Sequence, residues 1–353
     1  DKLFFINSDA SVIEIDDCIA IGSGANESIG SLLTSNGEEP VERIINYFES
    51  HGFTLKKPTA HKLMEKASSL FENLYKCIRQ TALSDPYKAA DETYYKILVP
   101  EKNSKGKGVR KGYLWVVVGI NTRMIYLLYD DGSRSEKVIL NELGGCKGII
   151  QSDGYSPYRK LESDAYPHIT RIPCLQHIKR KFIDCGEDEP DAKRIVEMIN
   201  TLYQNEHKHK IGVDGWTVEQ NLVHRKKYAP DILGEIKDVL DDIEERGDLL
   251  PKSELKEAVT YLRNEWNAVV DIFNYGDTYP DNNIVERMTR YISLSRKNSL
   301  FFGSHKGAER GAILYTIALT CRMNKVNLFE YLTDVINRTA EWQPNTPLEK
   351  YRQ

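Results

Sequence analysis

The chain lacks the features of three other protein classes. Its 353 residues contain no apolar run near the ~18–20 residues of a membrane-spanning helix, and residues 312–321 come nearest. No basic leader followed by an apolar segment opens the chain, so we expect no secretory signal, and the start at Asp1 rather than Met leads us to expect residues upstream. The six cysteines are widely scattered, which favours reduced thiols in a cytosolic protein over a disulfide framework.

The composition is that of a globular protein of about two domains. Hydrophobic residues make up 41% of the chain and charged residues 28%, which excludes a disordered tail or a collagen-like fibre. At roughly 150 residues per domain, the length leaves each domain large enough to bury a core.

Charge is distributed unevenly along the chain. The 48 basic and 52 acidic residues give a net charge of −4, but residues 1–58 alone hold ten acidic and four basic residues, a net of −6. The remainder therefore carries 44 basic and 42 acidic residues, a net of +2. Within it, basic residues cluster at 102–111, 171–181 and 287–310. A single such cluster is usually a solvated face, but three of them near acidic residues of interest favour contact with a phosphate backbone.

Short strands and two helices are predicted before residue 58. The strands are expected at residues 2–6, 11–15 and 18–21, and the helices at 25–34 and 40–50. A helical period then runs from residue 61 to 83.

From residue 89 onward the pattern predicts three strands, a helix, two further strands and then helices. The strands are expected near residues 89–98, 113–119, 124–129, 148–152 and 169–173, and the helix at 135–143. This order is that of an RNase H-like α/β core with a mixed sheet and a helical insertion at about 190–280. We therefore predict an N-terminal α+β segment (1–58), a helical lead-in (59–88) and a catalytic domain (89–340). We expect Trp115, Trp266 and Phe301 in the core.

Three acidic residues lie where a sheet of this kind would place a metal-binding active site. Asp91 lies on the first core strand, Asp153 ends a later strand, and Glu286 begins an Arg-rich helix. Convergent carboxylates hold Mg²⁺, and two such ions serve phosphodiester chemistry. Taken singly, each residue is more often a turn former or a solvated helix residue.

Six ordered blocks together resemble the insertion-sequence-66 (IS66) family of DDE transposases. They are residues 90–93 (ADET), 112–116 (GYLWV), 151–158 (QSDGYSPY), 174–182 (CLQHIKRKF), 281–287 (DNNIVER) and 296–304 (RKNSLFFGS). The resemblance runs from about residue 61 to 338. It implies that Asp91, Asp153 and Glu286 form the DDE triad, which holds Mg²⁺ or Mn²⁺, as two ions, and cleaves and joins transposon-end DNA.

The resemblance also implies DNA-contacting residues and partners. Asn283, Arg287, Lys297 and Asn298 fall in the family's motif around the Glu, and we expect them to position DNA or the triad. From the basic clusters we add further candidates for phosphate contacts: Arg290, Arg296, Lys179, Arg180 and Lys181. The expected partners are double-stranded DNA and further copies of the chain, with no membrane, in the cytoplasm near the nucleoid.

Cys174 and His177 form a separate short motif. A zinc site would need a second ligand pair, and His168 and Cys185 are irregularly spaced for one. We favour a role for Cys174 and His177 beside the active site or in packing the strand-to-helix turn.

Residues 1–58 weakly resemble the C-terminal half of proteasome-like (HslV-type) peptidases. Those enzymes use an N-terminal Thr as the nucleophile, whereas this chain opens with Asp1. IS66-type transposases usually begin with a coiled-coil or zinc-binding DNA-recognition region, and no such pattern is present in these residues. Two alternatives to an active transposase therefore stay open: a catalytically silent remnant that only binds DNA and, with less support, a peptidase subunit.

Overall fold

The chain divides into two compact units. Unit 1 comprises Asp1–Val138 and Ile284–Gln353, and unit 2 comprises Ile139–Asn283. The computed structural model describes residues 3–6, 12–15, 45–46, 49–50, 52–101, 108–247, 249–339, 342 and 346–352.

The N-terminal part of unit 1 contains a two-stranded antiparallel ribbon. Strands β1 (Leu3–Ile6) and β2 (Val12–Ile15) pair with Leu3 opposite Ile15, which confirms the first two predicted strands. The strand predicted at 18–21 and the helix predicted at 25–34 lie outside the described residues. So does most of the helix predicted at 40–50, of which residues 45–46 and 49–50 are helical.

Two helices occupy the stretch where a single helical period is predicted. They are α1 (Lys57–Leu70), which has a Pro in its first turn, and α2 (Glu72–Ser84). Phe71 separates them with φ −96° and ψ 1°, and its ring is only 4% exposed. The predicted helical period is confirmed, and the buried Phe71 interrupts it between the two helices.

Three antiparallel strands form the sheet of unit 1. They are β3 (Tyr87–Leu98), β4 (Val109–Gly119) and β5 (Met124–Leu128), in the order predicted from the alternating and continuous apolar runs. Asp91 lies opposite Val116 in this register, and Tyr94 lies opposite Tyr113.

Unit 2 holds a parallel strand pair and four longer helices. Helix α3 (Glu136–Leu143) crosses the border from unit 1, and β6 (Gly148–Ser152), the short α4 (Ser156–Arg159) and β7 (Ile169–Pro173) follow. Strands β6 and β7 pair in parallel, with Gly148 beside Ile169. The four longer helices are α5 (Leu175–Ile183), α6 (Pro190–Glu206), α7 (Val218–Arg246) and α8 (Glu254–Ile272). Three of these helices, α6 to α8, make up most of residues 190–280, where a helical stretch is predicted.

The chain returns to unit 1 with three helices. They are α9 (Asn283–Asn298), α10 (His305–Met323) and α11 (Leu328–Thr339), and a short 3₁₀ helix (Leu348–Arg352) follows. Helices together with antiparallel and parallel strand pairs confirm the mixed α/β class, whereas the RNase H-like arrangement stays a prediction. No helix among the described residues is long and apolar enough to cross a membrane.

The core of unit 1 lies between one face of its sheet and helices α9 and α10. Alternate residues of β4, Leu114, Val116 and Val118, are fully buried there together with Val285 and Ile292 of α9. Apolar residues at this spacing bring one face of α9 onto the sheet. The face of the sheet that carries Val116 is therefore the one that α9 covers.

Candidate active site

Asp91 lies at the border of the unit 1 core. It shares one side of β3 with Ala89 and Tyr95, because side chains alternate along a strand. Ala89 and Tyr95 are 1% and 2% exposed in the core, whereas Asp91 is half-buried. Its Oδ1 accepts the N–H of Glu92 at 2.8 Å, which holds the carboxylate by a backbone contact.

Glu286 borders the same core from the helix side. It lies in the first turn of α9, between the buried Val285 and the exposed Arg287, and is half-buried itself. A carboxylate in the first turn is favoured by the partial positive charge of a helix N-terminus. Val285 packs in the same cluster as Ala89 of β3, so unit 1 brings two of the three predicted carboxylates to the edge of one core.

Asp153 belongs to a tight turn in unit 2 directly after β6. Its Oδ1 accepts the N–H of Tyr155 at 3.0 Å, which is the turn-forming role that a lone Asp commonly has. Its backbone carbonyl accepts the Ser152 hydroxyl at 3.0 Å and a guanidinium N–H of Arg171 at 3.2 Å. Oδ2 accepts no hydrogen bond from any residue that the structure describes. One carboxylate oxygen is therefore fixed in place while the other is available to a ligand.

Tyr261 of α8 holds this turn from the side. The N–H of Gly154 donates to the Tyr261 hydroxyl at 3.0 Å. A Cβ at Gly154 would lie 2.3 Å from that oxygen, so only glycine fits beneath the ring. Burial raises the pKa of Tyr261 to about 12, and the negative charges of Glu265 and Asp153 add to the shift. The hydroxyl consequently stays protonated at neutral pH.

A buried ion pair supports the same turn. Arg171 of β7 contacts Glu265 of α8, and both side chains are completely buried. Arg171 also lies 2.9 Å from Glu162, and Arg159 lies 3.8 Å from Glu265. Burial raises the pKa of Glu265, and the charge of Arg171 offsets part of that shift. Removing either partner would leave a buried charge uncompensated, so Arg171 and Glu265 stay paired. This pairing holds the Arg171 guanidinium in place beside the Asp153 carbonyl.

Arg171 corrects the expectation drawn from the basic cluster at residues 171–181. Its side chain is fully buried and pairs with acidic residues, so it does not face a phosphate backbone. The signal available in the sequence was its position between Thr170 and Ile172 inside a predicted core strand, where a charged residue requires a buried partner. Glu265 and Tyr261 carried no comparable signal, and sequence reasoning missed both.

Cys174 and His177 lie at the turn from β7 into α5. Cys174 is 1% exposed and precedes the helix directly, and its Sγ accepts the N–H of Asn282 at 3.3 Å. A ring nitrogen of His177 lies within 4.8 Å of that sulfur. Among the described residues, neither His168 nor Cys185 joins these two in a group able to hold a metal ion, so the zinc set is not assembled. The burial of Cys174 is compatible with packing of the strand-to-helix turn, and a role beside the active site stays a prediction.

The predicted phosphate-binding side chains lie on α5 and α9. Exposed members are Arg180, Lys181, Arg287, Arg290 and Lys297. Lys179 and Arg296 are half-buried, and the side chain of Asn298 lies outside the described residues. Asn283 is exposed at the start of α9, where its N–H donates to Asp281 at 3.2 Å.

Comparison with known proteins identifies the family. A family model described as "Transposase IS66 family" matches residues 35–310, which include Asp91, Asp153 and Glu286. The chain belongs to this transposase family. The match begins within the N-terminal segment, and the resemblance of residues 1–58 to a proteasome-like peptidase finds no support.

Curated relatives come from Sinorhizobium fredii (strain NBRC 101917 / NGR234). The protein named "Uncharacterized protein y4jD" is 26% identical over 313 residues, covering 85% of this chain and 59% of the relative. "Uncharacterized protein y4qI" is 29% identical over 275 residues, covering 74% of this chain and 49% of the relative. The chain therefore spans about half to three-fifths of the length of these relatives.

Proposed function

We propose that this chain is the catalytic part of a transposase that cleaves and joins transposon-end DNA. In this proposal, Asp91, Asp153 and Glu286 act as a DDE triad and hold two Mg²⁺ or Mn²⁺ ions. The observation that carries the proposal is the family match over residues 35–310, since it spans all three carboxylates in the order that the motif blocks require.

The donor set fits divalent ions of this kind. All three residues offer carboxylate oxygens, which Mg²⁺ prefers, and all three are half-buried rather than sequestered. Two bound ions would activate a water or a 3′-hydroxyl and stabilise the leaving oxygen in phosphodiester chemistry.

The protein's own residues orient the ligands and bind the substrate. Tyr261 and Arg171 hold the peptide group between Asp153 and Gly154 at its N–H and its carbonyl, which supports the backbone next to the Asp153 carboxylate. Arg287 and Arg290 are exposed on the first turns of α9, close in sequence to Glu286, where they can neutralise phosphates of the bound DNA. Because the reaction joins two transposon ends, we expect at least two copies of the chain on double-stranded DNA.

Asp153→Asn provides the direct test. The substitution keeps the size of the side chain and removes its charge, and we expect loss of Mg²⁺-dependent nicking and joining of DNA cloned from both sides of the coding sequence. Asp164→Asn is the matched control, because Asp164 is exposed in the same unit. Equal activity of Asp153→Asn and Asp164→Asn would contradict the proposed triad.

A DNA-binding protein without catalysis is the second candidate. What favours it is that exposed side chains such as Arg287 and Arg290 would bind phosphates whether or not the three carboxylates act. If the unmutated chain binds the same DNA and never nicks it with Mg²⁺ or Mn²⁺, this candidate replaces the first.

A further inference from the structure

The face of β3 opposite Asp91 carries exposed tyrosines and lysines. Tyr94 lies directly opposite Tyr113 of β4, and Lys96 lies opposite Lys111. Tyr94 is 40% exposed, both lysines are exposed and Tyr113 is half-buried. Directly paired residues share one face of an antiparallel sheet, as do residues two apart on a strand. We call these four residues the tyrosine–lysine face.

The rings on this face lie among positive charges. The Lys111 ammonium is 4.4 Å from the centroid of the Tyr94 ring and 5.3 Å from that of Tyr113. Arg134 lies 5.1 Å from the Tyr113 centroid. The carboxylate on the same side of β3 is Glu92, which pairs with Arg134 at 2.5 Å and whose side chain is 5% exposed. The charge that this face presents to solvent is therefore positive.

Arg296 adds a fourth cation at the edge of the face. Its guanidinium lies 4.1 Å from the Tyr94 ring centroid. It also donates to the backbone carbonyl of Tyr94 and, at 3.3 Å, to the Thr93 hydroxyl. Two of these contacts do not involve the ring, so Arg296 keeps its place when the Tyr94 side chain is removed.

Phe301 extends the aromatic surface of the face. The neighbouring Phe302 lies beside β3 and donates its N–H to the Lys96 carbonyl at 2.8 Å. Its ring packs against Tyr95 in the core, with the two ring centroids 4.2 Å apart. Because side chains alternate along an extended segment, Phe301 points to the side of Tyr94 and is 40% exposed. The expectation that Phe301 belongs to the core is wrong, because its apolar neighbour occupies the inward position.

We propose that the tyrosine–lysine face binds a single DNA strand, with unpaired bases against Tyr94 and the adjacent Phe301. The phosphates of the strand would lie on the two lysines of the face and on the neighbouring Arg134 and Arg296. The proposal deepens the proposed function and depends on it for the identity of DNA as the nucleic acid. Exposed rings interleaved with cations suit a single strand, since its bases are free to stack, whereas a duplex keeps its bases stacked inside. Such a strand would be present where the base pairs next to a cleaved transposon end open.

Binding of a short labelled single strand, measured by fluorescence anisotropy in EDTA, tests the stacking. Tyr94→Ala should weaken binding by roughly 5- to 150-fold, and Tyr94→Phe should bind as the unmutated chain does because the ring remains. Phe329→Ala is the matched control, since Phe329 is a 77% exposed aromatic residue of the same unit. Thermal unfolding of each variant establishes that it is folded.

The salt dependence of the same binding tests the phosphate contacts. A plot of log affinity against log salt concentration should become less steep by about 0.7 in Lys96→Gln and in Lys111→Gln, because each loses one phosphate contact. Tyr94→Ala should leave the steepness unchanged. Lys66→Gln is the control, because Lys66 is exposed on α1. The proposal is overturned if Tyr94→Ala binds the single strand as tightly as Phe329→Ala does, or if it weakens a duplex of the same sequence equally.

The two proposals fail separately in these assays. Loss of single-strand binding in Tyr94→Ala while the unmutated chain never nicks DNA would support the face and contradict the triad. Nicking that requires Asp153, with no effect of Tyr94→Ala on single-strand binding, would support the triad and contradict the face.

Discussion

At the scale of single residues, the Asp153 turn depends on a close fit between Gly154 and Tyr261. The hydroxyl that accepts the Gly154 N–H also fills the space where a Cβ would project. A side chain at this position would push the ring away and remove the hydrogen bond together with the contact. The direction of the Asp153 carboxylate therefore depends on the absence of a Cβ at residue 154.

Gly154→Ala should lower both stability and strand cleavage. The added methyl group would lie 2.3 Å from the Tyr261 oxygen, and overpacking of this kind costs about 1–3 kcal/mol. Chemical denaturation and the nicking assay measure the two effects. Gly145→Ala is the control, because a Cβ there meets nothing within 4 Å. If both variants unfold at the same denaturant concentration, the steric argument fails.

At the scale of secondary-structure elements, α9 combines packing and chemistry on different sides. Val285, Met288 and Ile292 bury one side of the helix in the unit 1 core, while Arg287 and Arg290 are exposed. Glu286 lies between these two surfaces. The apolar spacing that fixes how the helix rotates on the sheet therefore also fixes where the carboxylate lies.

Ile292→Ala should destabilise the chain by about 2–5 kcal/mol, because it opens a cavity under a fully buried side chain. Leu294→Ala on the same helix should change stability by less than about 0.5 kcal/mol, since Leu294 is 41% exposed. Denaturant unfolding followed by circular dichroism measures both. If both variants lost a similar amount of unfolding free energy, α9 would not pack on the sheet through the side that carries Ile292.

The elements themselves were largely predictable, and the exceptions have physical causes. Strands β3 to β5 follow from their apolar pattern and turns, whereas after β7 only the predominance of helix was predicted and not the individual helices. The break at Phe71 was not predictable because the residue that ends one helix is as buried as those within it. The contacts of the Asp153 turn were not predictable either, because Tyr261 reaches Gly154 from 107 positions away and Arg171 reaches the Asp153 carbonyl through the pairing of β6 with β7.

At the scale of the whole molecule, the net charge of −4 does not describe the surfaces available to a polyanion. Residues 1–58 contribute −6, and the remaining 295 residues sum to +2. Within those residues, Arg171 is buried against acidic partners, whereas Arg287 and Arg290 are exposed. Affinity for a polyanion depends on these exposed groups and on salt rather than on the sum.

Mg²⁺ should raise the midpoint of thermal unfolding of the unmutated chain, because an ion that binds only the folded state stabilises that state. At an ion concentration 100 times the Kd, the stabilisation is about 2.7 kcal/mol. Asp91→Asn, Asp153→Asn and Glu286→Gln should each reduce the shift. Glu330→Gln should not, since Glu330 is exposed on α11. An identical shift in all four variants would indicate non-specific ion binding and would remove support for the triad.

The hydrogen bond between Gly154 and Tyr261 joins residues 107 positions apart in the chain. During synthesis, β6 and the turn after it leave the ribosome long before α8 does, and contacts of such large sequence separation are slow to form. The Asp153 turn therefore cannot reach its final geometry until the chain has been made as far as α8 and that helix has packed. A chain interrupted before α8 would contain the acidic residue without the support that orients it.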